Sequence, residues 1–180
     1  MTVLVTGSNG FLGSALVRRL AASRRTAVYG LVRPGSSRKR LEGSGNTLEA
    51  PGFVLRQGTL SSRAEAERAL DGIDTVYHVA AAMNGTAADL CLNTVVASKH
   101  LLEAGLRRSR PPRFVLVSSF SVYGAADLPR GAVIDEHTPL ERRPERRDLY
   151  SQAKIRQERL FREYQERHGF ELVVLRPGVI

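Results

Sequence analysis

Tyr150 and Lys154 lie four residues apart in the stretch Tyr150-Ser151-Gln152-Ala153-Lys154. On a helix this spacing stacks both side chains on one face, one turn apart. A lysine ammonium there stabilises tyrosinate and lowers the phenol from its reference value of about 10 toward the operating pH. A tyrosine tuned in this way can pass a proton to or from a carbonyl oxygen. The composition makes the pair informative: with five tyrosines and three lysines in 180 residues, about 0.08 such pairs arise by chance. Arginine supplies 24 of the 27 basic residues, so lysine at 154 points to a task that arginine does not serve.

A second chemistry-bearing feature is the glycine ladder Thr6-Gly7-Ser8-Asn9-Gly10-Phe11-Leu12-Gly13. A β-branched run, Thr2-Val3-Leu4-Val5, precedes it, and Phe11, Ala15, Leu16 and Leu20 follow at helical spacing. Strand, glycine turn and helix form the geometry that receives a pyrophosphate. Glycines allow the tight turn, the approach of backbone to phosphate and the packing of helix on strand, while the first N–H groups of the helix face the anion. The spacing G-x-x-G-x-x-G is one residue longer than the dinucleotide fingerprint and is a variant of it.

Arg33 ends the second predicted strand, twenty residues past Gly13. An acidic residue there would bind a ribose 2′-hydroxyl; arginine instead suits a 2′-phosphate, with Arg38 and Lys39 as helpers. The ligand expected is therefore NADP, with NAD as the second choice.

These residues need a frame, and the chain supplies an alternation. Strands are expected at 2–5, 27–32, 53–56, 75–79, 113–117 and 172–175. Helices are expected from Phe11, at 63–70, at 89–106 and at 149–167, the last closed by His168-Gly169. Strands that read as unbroken Val/Leu runs between helices imply a parallel sheet covered on both faces. The expected fold is α/β, a Rossmann-type doubly wound parallel sheet of about six strands, with residues 1–180 forming one dinucleotide-binding domain. Residues 34–52, rich in Gly, Ser and Arg, read as a surface connection.

Composition removes several classes. No apolar run approaches the roughly 18 residues of a membrane helix, and the chain enters a strand at once, so a cytoplasmic protein without signal peptide or membrane partner is expected. The single Cys91 has no internal disulfide partner, and the four histidines lack ligand spacing, so no metal is expected. The net charge of +9 is split evenly, +4 over 1–90 and +5 over 91–180, without interleaved aromatics. Nucleic acid is accordingly disfavoured as a partner.

Together the ladder, His78-Val79-Ala80-Ala81, the Ser118-Ser119 pair and the Tyr150/Lys154 pair resemble the extended short-chain dehydrogenase/reductase family, of the NAD(P)-dependent epimerase/dehydratase type. The resemblance covers essentially the whole chain. It implies that Gly7, Gly10, Phe11, Leu12 and Gly13 cradle the pyrophosphate, that Val79, Ala80 and Ala81 run beside the cofactor, and that Pro177 flanks the nicotinamide. Ser119, Tyr150 and Lys154 match the catalytic residues, and Asn93 matches an asparagine of the active-site helix. Asp135-Glu136 to Pro139 resembles a structural loop before the tyrosine.

Three departures accompany the resemblance. Thr59, followed by Leu60, stands where the family has an acidic residue at the adenine, so a neutral hydroxyl is expected to take over that contact. Phe120 and Ser121 replace the acidic pair of sugar dehydratases, which disfavours elimination of water. The family also continues past its sixth strand into a substrate domain, so an N-terminal portion of a longer enzyme is expected. The expected function is an NADP(H)-preferring oxidoreductase or epimerase acting on a small-molecule alcohol or carbonyl, with a homodimer through helices 89–106 and 149–167. The alternatives are a non-catalytic NAD(P) sensor and an RNA-associated protein on the same fold.

Overall fold

The computed structural model describes residues 1–23, 25–42, 52–125 and 128–178. Six strands, β1 (Thr2–Thr6), β2 (Ala27–Val32), β3 (Phe53–Gln57), β4 (Thr75–His78), β5 (Arg113–Val117) and β6 (Leu172–Leu175), form one sheet in the order β3-β2-β1-β4-β5-β6. Every pairing is parallel, with Val5 opposite Gly30 on one side and Tyr77 on the other. This is the doubly wound Rossmann order. Its direction of growth reverses between β1 and β4, so a crevice opens beyond the carboxyl ends of those two strands.

The period of two along β1 explains the two covered faces. Val3 and Val5 point to one side and pack with Val17 of α1 (Phe11–Ala22), Val28 and Val32. Leu4 points to the other and joins Leu70, Val76, Leu101, Phe114 and Phe161. This second face is covered by α3 (Arg63–Ala69), α5 (Ala97–Leu106) and α6 (Leu149–His168). Phe114 meets Phe161 and Phe170 edge-on, with ring centroids 5.8 and 5.3 Å apart.

Three sequence expectations are revised. The buried stripe of α1 is Gly13, Val17 and Ala21, whereas Phe11 and Ala15 are exposed, because the close approach at Gly13 decides which side meets the sheet. Residues 34–52 are not all loop: Lys39–Glu42 form a single helical turn, α2, and residues 43–51 lie outside the described residues. The helix expected at 89–106 begins earlier, as α4 (Ala87–Leu90), and passes through a π-helical turn, Cys91–Val96, before α5. A capping box between Thr86 and Asp89 fixes the start. The wider turn rotates the following residues, which hydrophobic spacing alone does not reveal.

Candidate active site

The glycine ladder forms a tight cradle at the end of β1. Gly7 takes φ = +65°, and a Cβ there would lie 2.9 Å from the Cα of Ala80. A Cβ on Gly13 would collide with the Gly7 carbonyl, so the helix seats on the turn only without a side chain. The Gly10 amide donates to the Gly7 carbonyl (2.9 Å), and Gly10 caps α1 with no side-chain hydrogen bond and no acidic residue in the first turn. By contrast, side chains of Ser62, Thr86 and Asp148 cap α3, α4 and α6. The first N–H groups of α1 are thus left for an anion, with the positive end of the helix behind them.

At the end of β2, Arg33 is exposed beside this cradle. The segment after it is tied to the glycine turn by Asn9 Nδ2, which donates to the Ser37 carbonyl (3.0 Å), and to α1 by Arg18 Nη2, which donates to the Arg40 carbonyl (2.6 Å). Beyond β3, Thr59 does not present a free hydroxyl: it donates to the Glu65 carboxylate, which also accepts from Ser61 Oγ (2.8 Å). These hydrogen bonds hold the Glu65 carboxyl below the usual carboxylate range. Sequence reasoning missed Glu65, an acidic group brought next to position 59 by the first turn of α3. Leu60 is buried, and its carbonyl accepts from His100 Nδ1 (2.9 Å).

Val79, Ala80 and Ala81 are half-buried at the end of β4, across from Gly7. The Ala80 amide donates to Thr6 Oγ1 (3.1 Å) and the Ala82 amide to Thr94 Oγ1 (3.0 Å). The π-helical turn therefore delivers Thr94 to this run, fully buried. Asn93 is exposed and turns its amide back to the Asp89 carbonyl (2.9 Å). The asparagine matched from sequence makes its hydrogen bond within its own helix, whereas the threonine beside it bonds the backbone that follows β4.

Ser119 and Pro177 come together at the ends of β5 and β6. Ser119 caps the 3₁₀ turn Phe120–Val122, its Oγ accepting from the Ser121 amide (3.1 Å) and lying 3.0 Å from Ser121 Oγ. The Phe120 amide donates to the Pro177 carbonyl (2.8 Å), which pins the serine loop to the chain after β6.

Tyr150 is half-buried on the first turn of α6, and its hydroxyl makes no hydrogen bond among the described residues. One turn further, Lys154 is 2% exposed and donates to the Val117 carbonyl (2.7 Å) and to Gln157 Oε1 (2.6 Å). Burial pushes its ammonium down to about 7, against the charge of Glu158, which raises it. An ammonium has three donors, so one remains for a ligand or for Tyr150.

Beneath these residues, Glu158 is fully buried. It accepts from Ser118 Oγ (2.6 Å), Arg176 Nη2 (2.6 Å) and Arg162 Nε (2.9 Å). Burial drives its carboxyl up, but these hydrogen bonds outweigh burial and hold it low. Arg176 also stacks over Tyr123, 4.6 Å from the ring centroid, and so links α6, β6 and the serine loop. Among the described residues no helix is long and apolar enough to cross a membrane.

Comparisons with known proteins agree with this geometry. The family model described as NAD dependent epimerase/dehydratase family matches residues 3–180. A dTDP-glucose 4,6-dehydratase of Streptomyces niveus is 33% identical over 193 residues, covering 98% of this chain and 53% of the relative. Among solved structures, the terminal R domain of the myxalamid PKS-NRPS biosynthetic pathway superposes with a TM-score of 0.81 at 30% identity, covering 98% of this chain and 49% of that one. UDP-glucuronic acid 4-epimerase from Bacillus cereus, in complex with NAD, gives 0.80 at 25% identity, covering 99% and 57%. The chain spans about half the length of the curated relatives it matches.

Proposed function

The chain belongs to the NAD dependent epimerase/dehydratase family, and from that premise we propose that it is the cofactor-binding half of an NADP(H)-preferring oxidoreductase or epimerase. The observation that carries this reading is the cradle: two glycine positions with no room for a Cβ, and an uncapped helix start facing the β1/β4 crevice. Those features fit a dinucleotide pyrophosphate. When bound, a nicotinamide dinucleotide supplies hydride exchange with a substrate carbon.

The chain's own residues would do the rest. Gly7, Gly10, Phe11, Leu12 and Gly13 hold the pyrophosphate. Val79, Ala80 and Ala81 line the cofactor side of the crevice, with Pro177 at its far end. Ser119 donates to the substrate oxygen, and Tyr150 gives or takes the proton at that oxygen. Lys154 keeps its third donor for the nicotinamide ribose and favours the tyrosinate. Phe120 and Ser121 offer no carboxylate, which disfavours elimination of water. The substrate belongs to the alcohol/carbonyl class.

Preference for NADP(H) rests on Arg33, exposed at the ribose end of the cradle, together with the tethered segment carrying Arg38 and Lys39. Titration calorimetry tests it. NADPH should bind more tightly than NADH, and Arg33→Asp should erase the difference, a loss of about 1–3 kcal/mol for a charge-assisted contact. Equal affinities in the unaltered chain would remove the preference; no binding of either nucleotide would remove the function. A homodimer through α4–α5 and α6 belongs to the same reading. It is supported by the exposed Leu92 and Leu149 on those helices and tested by sedimentation.

A further inference from the structure

Four buried polar side chains that the proposed chemistry does not use link the Ala80 backbone to Lys154 in one continuous hydrogen-bond chain across the core. It starts at the cofactor-side backbone, where the Ala80 amide donates to Thr6 Oγ1. Thr6 Oγ1 lies 2.8 Å from His78 Nδ1, and His78 Nε2 lies 2.9 Å from Ser98 Oγ. Ser98 Oγ accepts from Gln157 Nε2 (2.8 Å), and Gln157 Oε1 accepts from Lys154 Nζ (2.6 Å). Thr6, His78, Ser98, Gln157 and Lys154 are each no more than 2% exposed.

The partners fix the direction of every bond. Ser98 Oγ also lies 2.6 Å from the Thr94 carbonyl, which can only accept, so the single Ser98 proton goes there. Ser98 must then accept from both Gln157 and His78, which places the imidazole proton on Nε2. His78 Nδ1 is left as the acceptor for the Thr6 hydroxyl, whose lone pairs receive the Ala80 amide. Among the described residues the Thr6 hydroxyl has no other acceptor for its hydrogen, so a second imidazole proton would oppose it and the geometry favours a neutral ring. Burial, with the Lys154 charge adding to it, pushes His78 down to about 3 in agreement. The same direction puts the Gln157 oxygen, not its nitrogen, toward Lys154.

We infer that Gln157 is a positioning residue for Lys154, and that Ser98 and His78 lock its amide so that the lysine and the Ala80 backbone are held as one unit. The charged and titratable groups facing Lys154 are Glu158 and Tyr150 on its own helix and His78 on β4. None of the three accepts a hydrogen bond from Nζ; Gln157 and the Val117 carbonyl do. A rotated Gln157 would turn an NH₂ group on the ammonium, and the lysine would lose one of its two acceptors. The role of this unit in cofactor binding rests on the dinucleotide reading above, whereas its effect on Lys154 does not.

Only three lysines are present, so ¹³C-lysine labelling gives three side-chain signals whose titration is followed by NMR in cofactor-free protein. Lys154 should titrate near 7. Gln157→Leu should lower that midpoint, and Ser98→Ala, which removes no hydrogen bond of Lys154 itself, should lower it by at least about half a pH unit. Lys39 and Lys99 should not move. A Lys154 midpoint unaltered by Ser98→Ala would overturn the relay. The unaltered protein provides a test that needs no variant to fold: long-range ¹H–¹⁵N spectra should show His78 as the neutral Nε2–H tautomer at pH 5, and an Nδ1–H or doubly protonated ring would overturn the assigned direction. With NADPH added, Ser98→Ala and Gln157→Leu should each weaken binding at least about fivefold, and the double variant should be no worse than the poorer single one. Additive losses would count against a single unit, while absence of binding in the unaltered protein would count against the dinucleotide reading and leave the Lys154 result standing.

Discussion

Replacing Arg176 with leucine tests whether the ion pair beneath the candidate site holds α6 to the sheet. Glu158 is fully buried, and the arginine supplies its 2.6 Å bond from Nη2 and a 3.2 Å contact from Nε. Removing it leaves a buried carboxylate with only Ser118 and Arg162, the latter on a side chain 46% exposed. Breaking a buried pair by deleting one partner costs about 3–5 kcal/mol, because the remaining charge stays desolvated. In a domain of this size 1 kcal/mol moves the melting temperature by about 2–4 °C, so a fall of about 6–20 °C is expected by calorimetry or circular dichroism. The double substitution Glu158→Leu with Arg176→Leu should recover at least half of that loss, since no charge is then stranded. If Arg176→Leu alone costs less than about 1 kcal/mol, water must reach Glu158, and the assignment of this pair as the buried tie is wrong.

Gly13→Ala should abolish measurable NADPH binding in calorimetry, since its Cβ would collide with the Gly7 carbonyl and spread the cradle; binding within twofold of the original would contradict the geometry. In the catalytically competent enzyme, Tyr150→Phe should lower turnover at least about a hundredfold while leaving cofactor affinity nearly intact, and Lys154→Met should damage both. Steady-state kinetics beside cofactor titration separates the two outcomes. Stability should rise with pH between about 7 and 10.5, because there the unfolded chain keeps a proton on Lys154 that the folded chain has released. Urea unfolding at pH 9 should therefore exceed that at pH 7 by about 2–3 kcal/mol, a difference that Lys154→Met should remove.

The strands at 27–32, 113–117 and 172–175 were legible to the residue because β-branched and leucine runs between turn residues have few other stable conformations. Less of the site was legible. Tyr150/Lys154 and the glycine ladder are local patterns, each contained within eight residues. Glu65 next to Thr59, Arg176 on Glu158 and Thr94 on the Ala82 amide join segments distant in sequence or depend on helix register. Asn93 shows the difference most directly. It has the residue type expected of an active-site helix, but one π-helical turn changes which neighbour faces inward.

The sequence by itself determined the alternation of strands and helices, the parallel sheet and the tight glycine turn at Gly7 to Gly13, since each follows from local periodicity and steric freedom. Only the tertiary structure decided which side of α1 is buried, that Thr94 rather than Asn93 meets the backbone after β4, and that Lys154 is gripped by Gln157. The physical reason is that hydrogen bonds among buried groups depend on distances set by the packing of the whole sheet and its helices. A chain read one window at a time carries the donors and acceptors, but not which of them will be left without water and must find each other.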